Sequence, residues 1–212
     1  MRMRHKKNVP ERLIHCGNLF LPAPSSLKGG WPGLFGNANP IMTEIGCGKG
    51  AFIIQLAQKY PNINFVAAER CLDALVLAVE KAHQIGIPNL RFMDIDAAVI
   101  EDVFAPGECR RIFLNFSDPW PKRKHAKRRL THINFLTKYA AVLSTLGEIH
   151  FKTDNLPFFL FSLDEFQQNG WRLQNITFDL HRSGFPENFL TEYETFFSSK
   201  GVPICRLEAR RP

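Results

Sequence analysis

The sequence has no long hydrophobic run and no paired cysteines. No stretch approaches the roughly 18 consecutive apolar residues typical of a membrane-spanning helix, and polar residues interrupt the apolar positions after the basic start MRMRHKK. We therefore expect a soluble protein without a signal peptide. The five cysteines are odd in number and scattered, with no CxxC pair. This argues against a disulfide framework and a thiolate zinc site, fits a reducing cytoplasm, and leaves no metal predicted.

Acidic residues are fewer than basic ones. The chain has 20 Asp and Glu against 27 Lys and Arg, a net charge of +7, which favours a polyanionic partner, either nucleic acid or an acidic membrane surface. The excess is concentrated in NFSDPWPKRKHAKRR (115–129), where six of the eight positions from 122 to 129 are Lys or Arg. We call residues 122–129 the basic loop. The alternative interpretation is that these cations lie at the solvent-exposed start of a helix and bind no partner.

Short apolar runs alternate with segments of helical periodicity, which is the pattern of an α/β doubly wound sheet. Strands are predicted at 40–46, 63–69, 90–96, 111–118 and 148–154, and helices at 50–60, 72–86, 133–143 and 156–170. A late antiparallel pair, 175–181 and 203–209, encloses a polar, aromatic loop. Residues 1–38 are rich in Pro, Gly and basic residues (Arg2, Arg4, Lys6 and Lys7). They are predicted to form an arm that lies on the single domain, 39–212, or on its partner.

Five predicted strands in succession end at or next to an acid, namely Glu44, Glu69, Asp96, Asp118 and Asp154. In open α/β sheets ligands bind at the carboxyl ends of the strands, so these acids are expected to surround one crevice. Acids also serve as turn and helix-capping residues after strands. Each of the five, taken alone, could therefore be a turn or cap residue instead of a ligand contact. A cluster of like charges costs free energy unless donors of a ligand neutralise it, so five together favour a binding site.

The stretch EIGCGKG (44–50) places three glycines, Gly46, Gly48 and Gly50, at the first strand-to-helix turn. There the missing side chains let backbone N–H groups approach a ligand closely. A dinucleotide site has GxGxxG, whereas an acid followed by GxGxG resembles the first motif of Rossmann-like S-adenosylmethionine methyltransferases. That resemblance implies that Glu44 faces the cationic part of this cofactor. Glu69 is placed to accept from two ribose hydroxyls, and Asp96 would hold the adenine amine. The alternatives to an S-adenosylmethionine site are a nicotinamide cofactor site and a glycine-rich turn that binds no ligand.

Four motifs together resemble the tRNA (guanine-N7)-methyltransferase family: DPWPKRKHAKRR, EIGCGKG, KTD (152–154) and TEYE (191–194). The likeness runs from about residue 34 to 207. It implies a Rossmann-like methyltransferase fold and methyl transfer from S-adenosylmethionine to N7 of a guanine in the tRNA variable loop. It further implies that Asp118 is catalytic and contributes to the cofactor site. Target-nucleotide contacts are implied for Lys122, Asp154, Thr191, Glu192, Tyr193 and Glu194, and RNA contacts for Lys124, His125, Ala126, Lys127, Arg128 and Arg129.

The chemistry gives separate reasons for these residue types. Guanine N7 has a lone pair and no proton to lose, so the transfer needs alignment and electrostatics more than a strong base. The opposite edge of guanine offers N1–H and N2–H₂, which a carboxylate can accept together; Glu194 or Asp154 is the candidate. Asp118 would position the base and offset the sulfonium charge. Trp120 is either a stacking surface or a structural wedge.

The sequence departs from the family pattern in three respects. Ser117 stands where Pro is expected, the pair Arg123-Lys124 has the reverse order, and Phe196 occupies a place where a basic residue is common. The last removes one potential RNA contact. The oligomeric state stays open, with a monomer as the default.

Two other functions are compatible with parts of the pattern. SDPW (117–120) is similar to the Asn-Pro-Pro-aromatic motif of amino methyltransferases, which would make the target an amine of adenine or a protein glutamine. It lacks the second proline in place. The chain could also be a non-catalytic RNA-binding protein on a methyltransferase fold, although the intact acids and glycines argue against a decayed site.

Overall fold

The computed structural model describes residues 5–212, which build one eight-stranded sheet in the order β1-β4-β3-β2-β5-β6-β8-β7. The strands are β1 Phe20–Leu21, β2 Ile41–Ile45, β3 Asn64–Ala68, β4 Leu90–Met93, β5 Cys109–Asn115, β6 Leu143–Thr153, β7 Arg172–Thr177 and β8 Cys205–Arg210. The helices are α1 Val9–His15, α2 Trp31–Phe35, α3 Ala51–Lys59, α4 Leu72–Ile85, α5 Ile100–Val103, α6 Ile133–Val142, α7 Leu156–Gln168 and α8 Glu192–Ser198. None of these helices is long and apolar enough to cross a bilayer.

The strands from β1 to β6 pair in parallel, and β8 runs antiparallel to both β6 and β7. The predicted fold, a mostly parallel doubly wound sheet with a late antiparallel pair, is therefore confirmed. Because β2 to β6 are parallel, their carboxyl ends meet at one edge of the sheet. The residues after Ile45, Ala68, Met93, Asn115 and Thr153 therefore share that edge.

Helices cover both faces of the sheet. On one face α6 and α7 bury Leu136, Tyr139 and Phe159, and on the other α3 and α4 bury Ile53 and Leu75. Each helix supplies apolar side chains at helical spacing, so each packs one stripe onto the sheet. This two-sided packing fixes the strand ends that carry the predicted site.

The segment 5–38 contributes to the same sheet and core. Strand β1 pairs with β4, and Arg12 of α1 forms an ion pair with Glu80 of α4 at 2.7 Å. Trp31 is fully buried, and its indole N–H donates to the Val103 carbonyl oxygen at 3.1 Å. The predicted arm cations Arg2 and Arg4 lie outside the described residues.

The late part of the chain differs from the sequence-based expectation in two places. Strand β7 covers Arg172–Thr177 rather than 175–181, because Leu180–Arg182 form a 3₁₀ helix. The strand has a register shift between Gln174 and Thr177, where Asn175 has a left-handed φ of 50°. The expected loop between the last two strands contains helix α8, which Thr191 caps by accepting the backbone N–H of Glu194 at 2.9 Å.

Candidate active site

A cavity of about 930 Å³ opens at the carboxyl ends of the parallel strands. It takes residues from the ends of β2, β3, β4 and β5 and from the basic loop, including Gly46, Glu69, Arg70, Asp96, Asn115, Phe116, Ser117, Asp118, Trp120, Lys127 and Arg128. Three of the five predicted acids, Glu69, Asp96 and Asp118, therefore line one cavity beside the glycine turn.

The glycine turn has the geometry of a close-approach site. Gly46, Gly48 and Gly50 have φ angles of 83°, 57° and 81°, a region that side-chain-bearing residues rarely adopt. A Cβ atom at Gly46 or Gly48 would meet nothing within 4 Å, whereas one at Gly50 would lie 2.9 Å from the Ala78 Cβ atom. Gly50 is thus required for packing of α3 on α4, and the first two glycines leave open space.

The carboxylate of Glu69 ties the glycine turn to the next strand. One oxygen accepts the backbone N–H of Gly48 at 2.9 Å and the other accepts that of Cys71 at 2.8 Å. Because each carboxylate oxygen has two lone pairs, both retain a free acceptor position. Contact of Glu69 with ribose hydroxyls remains a prediction, now with a fixed carboxylate orientation to support it.

Asp96 combines a capping role with exposure to the cavity. One oxygen accepts the backbone N–H of Ala98 at 2.9 Å, and the other pairs with Arg70 Nη1 at 3.0 Å. Arg70 could not be predicted from the sequence, because a single arginine after a strand has no distinguishing pattern. A ligand amine at Asp96 would compete with this exposed guanidinium.

Glu44 does not line the cavity, but it contacts Asn115, which does. Its side chain is buried, one oxygen accepts from Asn115 Nδ2 at 2.8 Å, and Oε2 has no partner within the described residues. Burial raises the pKa of Glu44 to about 8, and the hydrogen bond from Asn115 offsets part of this. An unpartnered buried carboxylate oxygen is costly unless a donor or cation approaches it. Asn115, which the motifs did not single out, links Glu44 to the cavity wall.

The loop that carries Asp118 is strained on both sides of the acid. Phe116 has φ 51° and Trp120 has φ 42°, and a positive φ is an outlier for bulky residues. Such strain persists only where the surroundings impose it, and it clusters at functional sites. Asp118 itself is exposed at the cavity. The hydroxyl oxygen of Ser117, which stands where Pro was expected, is buried without a partner among the described residues.

Arg129 is partly buried and holds this loop. Its Nε donates to the Pro119 carbonyl oxygen at 2.9 Å and its Nη2 to that of Trp120 at 3.1 Å, while the guanidinium lies 4.2 Å from the centroid of the Phe161 ring. Two of its five N–H donors are thus engaged with protein carbonyls, and RNA contact by Arg129 remains a prediction. Arg129 is placed to support the strained loop.

The other cations of the basic loop are exposed. They are Lys122, Arg123, Lys124, Lys127 and Arg128, most of them on a 3₁₀ helix, Arg123–Arg128. His125 and Ala126 are partly buried. Arg128 lies 4.9 Å from the centroid of the Trp120 ring, and His125 packs against that ring edge-on at 5.7 Å. The loop thus forms a cationic rim on one side of the cavity.

Asp154 and the TEYE segment lie next to the strained loop rather than in the cavity wall. The ring of Tyr193 is 5.0 Å from that of Phe116, and its hydroxyl donates to Asp154 Oδ2 at 3.4 Å. Thr191 is the cap of α8, and Glu192 is exposed. Asp154 therefore retains acceptor capacity beside Phe116.

Glu194 is fully buried beside Lys152, and the hypothesis that it accepts the guanine edge remains a prediction. Its carboxylate accepts from Lys152 Nζ at 2.7 Å and from Asn188 Nδ2 at 2.6 Å, and His181 lies 3.2 Å away. Burial lowers the pKa of Lys152, and the adjacent Glu194 charge partly raises it again. Lys152 also donates to the Phe189 carbonyl oxygen at 2.9 Å. The pair anchors the segment around residues 188–194 to β6.

A smaller cavity of about 260 Å³ lies on the α3 face of the sheet. Its walls include Phe52, Phe113, Phe185 and Phe189, and the cations Arg111 and Arg206 reach it. The glycine turn and the acids Glu69, Asp96 and Asp118 do not line it. The larger cavity is therefore the one that unites the predicted motifs.

Comparison with known proteins identifies the family. A family model described as "Putative methyltransferase" matches residues 38–207. A tRNA (guanine-N(7)-)-methyltransferase of Bacillus licheniformis is 47% identical over 209 residues, covering 99% of this chain and 98% of the relative. The protein of the same name from Bacillus subtilis is 45% identical over 208 residues, with 98% of each chain covered.

Solved structures agree on the fold. A structure titled as an antibiotic-related methyltransferase has a TM-score of 0.65 at 14% identity, covering 86% of this chain and 92% of that one. The 16S rRNA methyltransferase KamB has the same TM-score at 13% identity, covering 86% and 93%. The sequence matches span the whole chain at close to half identity. The chain therefore belongs to the tRNA (guanine-N7)-methyltransferase family.

Proposed function

We propose that this protein transfers a methyl group from S-adenosylmethionine to N7 of a guanine in tRNA, and that the guanine lies in the variable loop. The observation that carries the proposal is the full-length identity of 47% to proteins named for this reaction. The cavity that joins the glycine turn to the strained, acid-bearing loop supports it independently. A tRNA-modifying enzyme without a membrane-spanning helix in residues 5–212 is expected to act in the cytoplasm.

The residues of the larger cavity fit the methyl donor. A volume of about 930 Å³ lies within the usual range of roughly 300–1,000 Å³ for small-molecule sites. Gly46 and Gly48 leave open space, Glu69 and Asp96 offer acceptors to a nucleoside, and Glu44, which has an unpartnered oxygen, contacts the cavity wall. When bound, the donor supplies an electrophilic methyl group on a sulfonium. Glu44 and Asp118 would stabilise that positive charge.

Asp118 would align the base and not deprotonate it, because guanine N7 carries no proton. Its exposed carboxylate in the strained loop can meet a base entering the cavity from solvent. Glu194 or Asp154 would accept N1–H and N2–H₂; Asp154 is partly exposed, whereas Glu194 is buried beside Lys152. A carboxylate there would reject adenine, whose N1 is an acceptor, and matched pairs of this kind discriminate by roughly 1–3 kcal/mol. Lys122 would contact the target nucleotide from the exposed start of the basic loop.

The exposed cations of the basic loop would hold the polynucleotide. Arginine suits bidentate phosphate contacts, whereas lysine acts as a point charge. Lys127 and Arg128 line the cavity itself, so phosphates next to the target base would meet them first. Lys124 and Arg123 would contact phosphates farther from the target base.

The proposal is tested by mass spectrometry of nucleosides from unmodified tRNA after reaction with isotope-labelled S-adenosylmethionine. The label is expected in 7-methylguanosine. Label in N6-methyladenosine would instead support an amino methyltransferase, and no label together with no calorimetric binding of the donor would support a non-catalytic RNA-binding protein. The control variant Asp118→Ala should reduce turnover far more than tRNA affinity. Equal losses in both would assign Asp118 to binding only.

A further inference from the structure

An aromatic row leads outward from the strained loop. It consists of Phe116, Tyr193, Phe197 and Phe196, with successive ring centroids 5.0, 4.3 and 5.1 Å apart. Its inner end is two residues from Asp118, and Tyr193 contacts Asp154. The row therefore begins at the candidate active site and ends on the protein surface.

The outer end of the row is exposed, and helix α8 has an anchor apart from the row. Glu194 anchors the helix from its buried side through Lys152. Tyr193, Phe196 and Phe197 are neighbours on one face of α8, because they lie three and four residues apart. Tyr193 is 44% exposed and Phe196 is 54% exposed. Contiguous exposed aromatic residues of this kind mark a binding surface more often than isolated ones do.

A cation lies at the outer end of the row. Lys200 Nζ is 4.0 Å from the centroid of the Phe196 ring, and Lys200 is exposed. Aromatic faces beside a cation are the combination that binds single-stranded nucleic acid, because bases stack on the rings and the cation attracts the phosphates. The net charge of +7 gives the same preference for a polyanion.

We propose that the aromatic row binds an unpaired nucleotide next to the methylated guanine, with its base stacked on Phe196 and Tyr193 and its phosphate near Lys200. The assignment of the guanine rests on the proposed function. The major groove of paired RNA is too deep and narrow for side chains to reach, so a guanine N7 in this cavity must come from an unpaired or splayed segment. The neighbouring nucleotide of such a segment would then lie along the row.

The test compares equilibrium binding of an unmodified tRNA transcript to the full-length protein and its variants. Phe196→Ala should raise the Kd about five- to 150-fold, the range for loss of one stacked base, and Phe196→Tyr should restore binding. The matched control is Phe178→Ala, because Phe178 is 51% exposed but packs against Phe159 outside the row. It should leave the Kd unchanged.

The salt dependence separates stacking from charge. Phe196→Ala should keep the wild-type slope of log Kd against log salt, whereas Lys200→Ala should reduce it by about 0.7, one phosphate on a single strand. An unchanged Kd for Phe196→Ala, or equal losses for Phe196→Ala and Phe178→Ala, would overturn the proposal.

A sedimentation measurement tests the alternative that a second copy of the chain binds to the row. A wild-type dimer that becomes monomeric with Phe196→Ala would show that the row is a contact between two copies of the chain, which also overturns the proposal. If the wild type binds tRNA but does not methylate it, the proposed function fails while the comparison of Kd values still decides whether the row binds RNA.

Discussion

Glu44 should couple binding of the methyl donor to release of a proton. Its pKa of about 8 means that near pH 7 roughly nine of ten molecules carry the proton on Glu44. A sulfonium or ammonium group near the unpartnered Oε2 would favour the ionised form. Binding is therefore expected to release up to about 0.9 proton per site near pH 7. Affinity should rise by up to about tenfold per pH unit until the pH reaches about 8.

Calorimetric titration in two buffers with different ionisation enthalpies measures this proton release. Glu44→Gln is the control, because it keeps the size and the hydrogen bond to Asn115 but cannot ionise. Any titration of the ligand itself occurs equally with both proteins. Equal proton release by the wild type and Glu44→Gln would refute the placement of Glu44 beside the ligand's positive charge.

The same raised pKa makes a stability prediction without ligand. The folded-state pKa of about 8 exceeds the ordinary value of 4.5, so the contribution of protonated Glu44 is fully present below about pH 4.5 and is lost as the pH rises towards 8. Relative to the wild type, Glu44→Gln should gain up to about 1.4 kcal/mol of unfolding free energy per pH unit across this window. Urea unfolding near pH 5 and near pH 8 measures the difference.

Three further outcomes are expected. Lys152→Met or Glu194→Gln should lower the free energy of unfolding in urea by about 3–5 kcal/mol, because each leaves a buried partner without its counterpart; a loss below about 1 kcal/mol would contradict the anchoring role. Arg129→Lys should lower kcat with little change in tRNA Kd, since lysine cannot span both loop carbonyls. Lys124→Gln should instead raise the tRNA Kd with little change in kcat. If about five phosphates are neutralised, a fourfold rise in salt should weaken tRNA binding by two to three orders of magnitude, and a flat response would exclude the basic loop as the RNA contact.

The parallel half of the fold could be predicted because its signals are local. The helix α4 ends where Gly86 adopts a left-handed φ of 76°, as a glycine after an apolar stripe indicates. The acids after β3, β4 and β5 follow directly from strand placement, since parallel strands bring their carboxyl ends together. Local patterns therefore located the larger cavity.

The contacts that local patterns do not predict are those with partners distant in the sequence. Helix α8 has seven residues, too few for a periodic signal, and its anchor joins Glu194 to Lys152 across 42 positions of sequence. Within the basic loop, Arg129 looks the same as its neighbours, and its contacts with Pro119 and Phe161 alone distinguish it. Packing, and not composition, decides which charges are free.

The most direct measurement is a crystal structure of the protein with bound S-adenosylhomocysteine, the product of methyl transfer. The ligand is expected in the larger cavity, with its nucleoside between Glu69 and Asp96 and its sulfur on the side of Asp118 and Glu44. Binding in the smaller cavity beside Phe185, away from the glycine turn, would contradict the account.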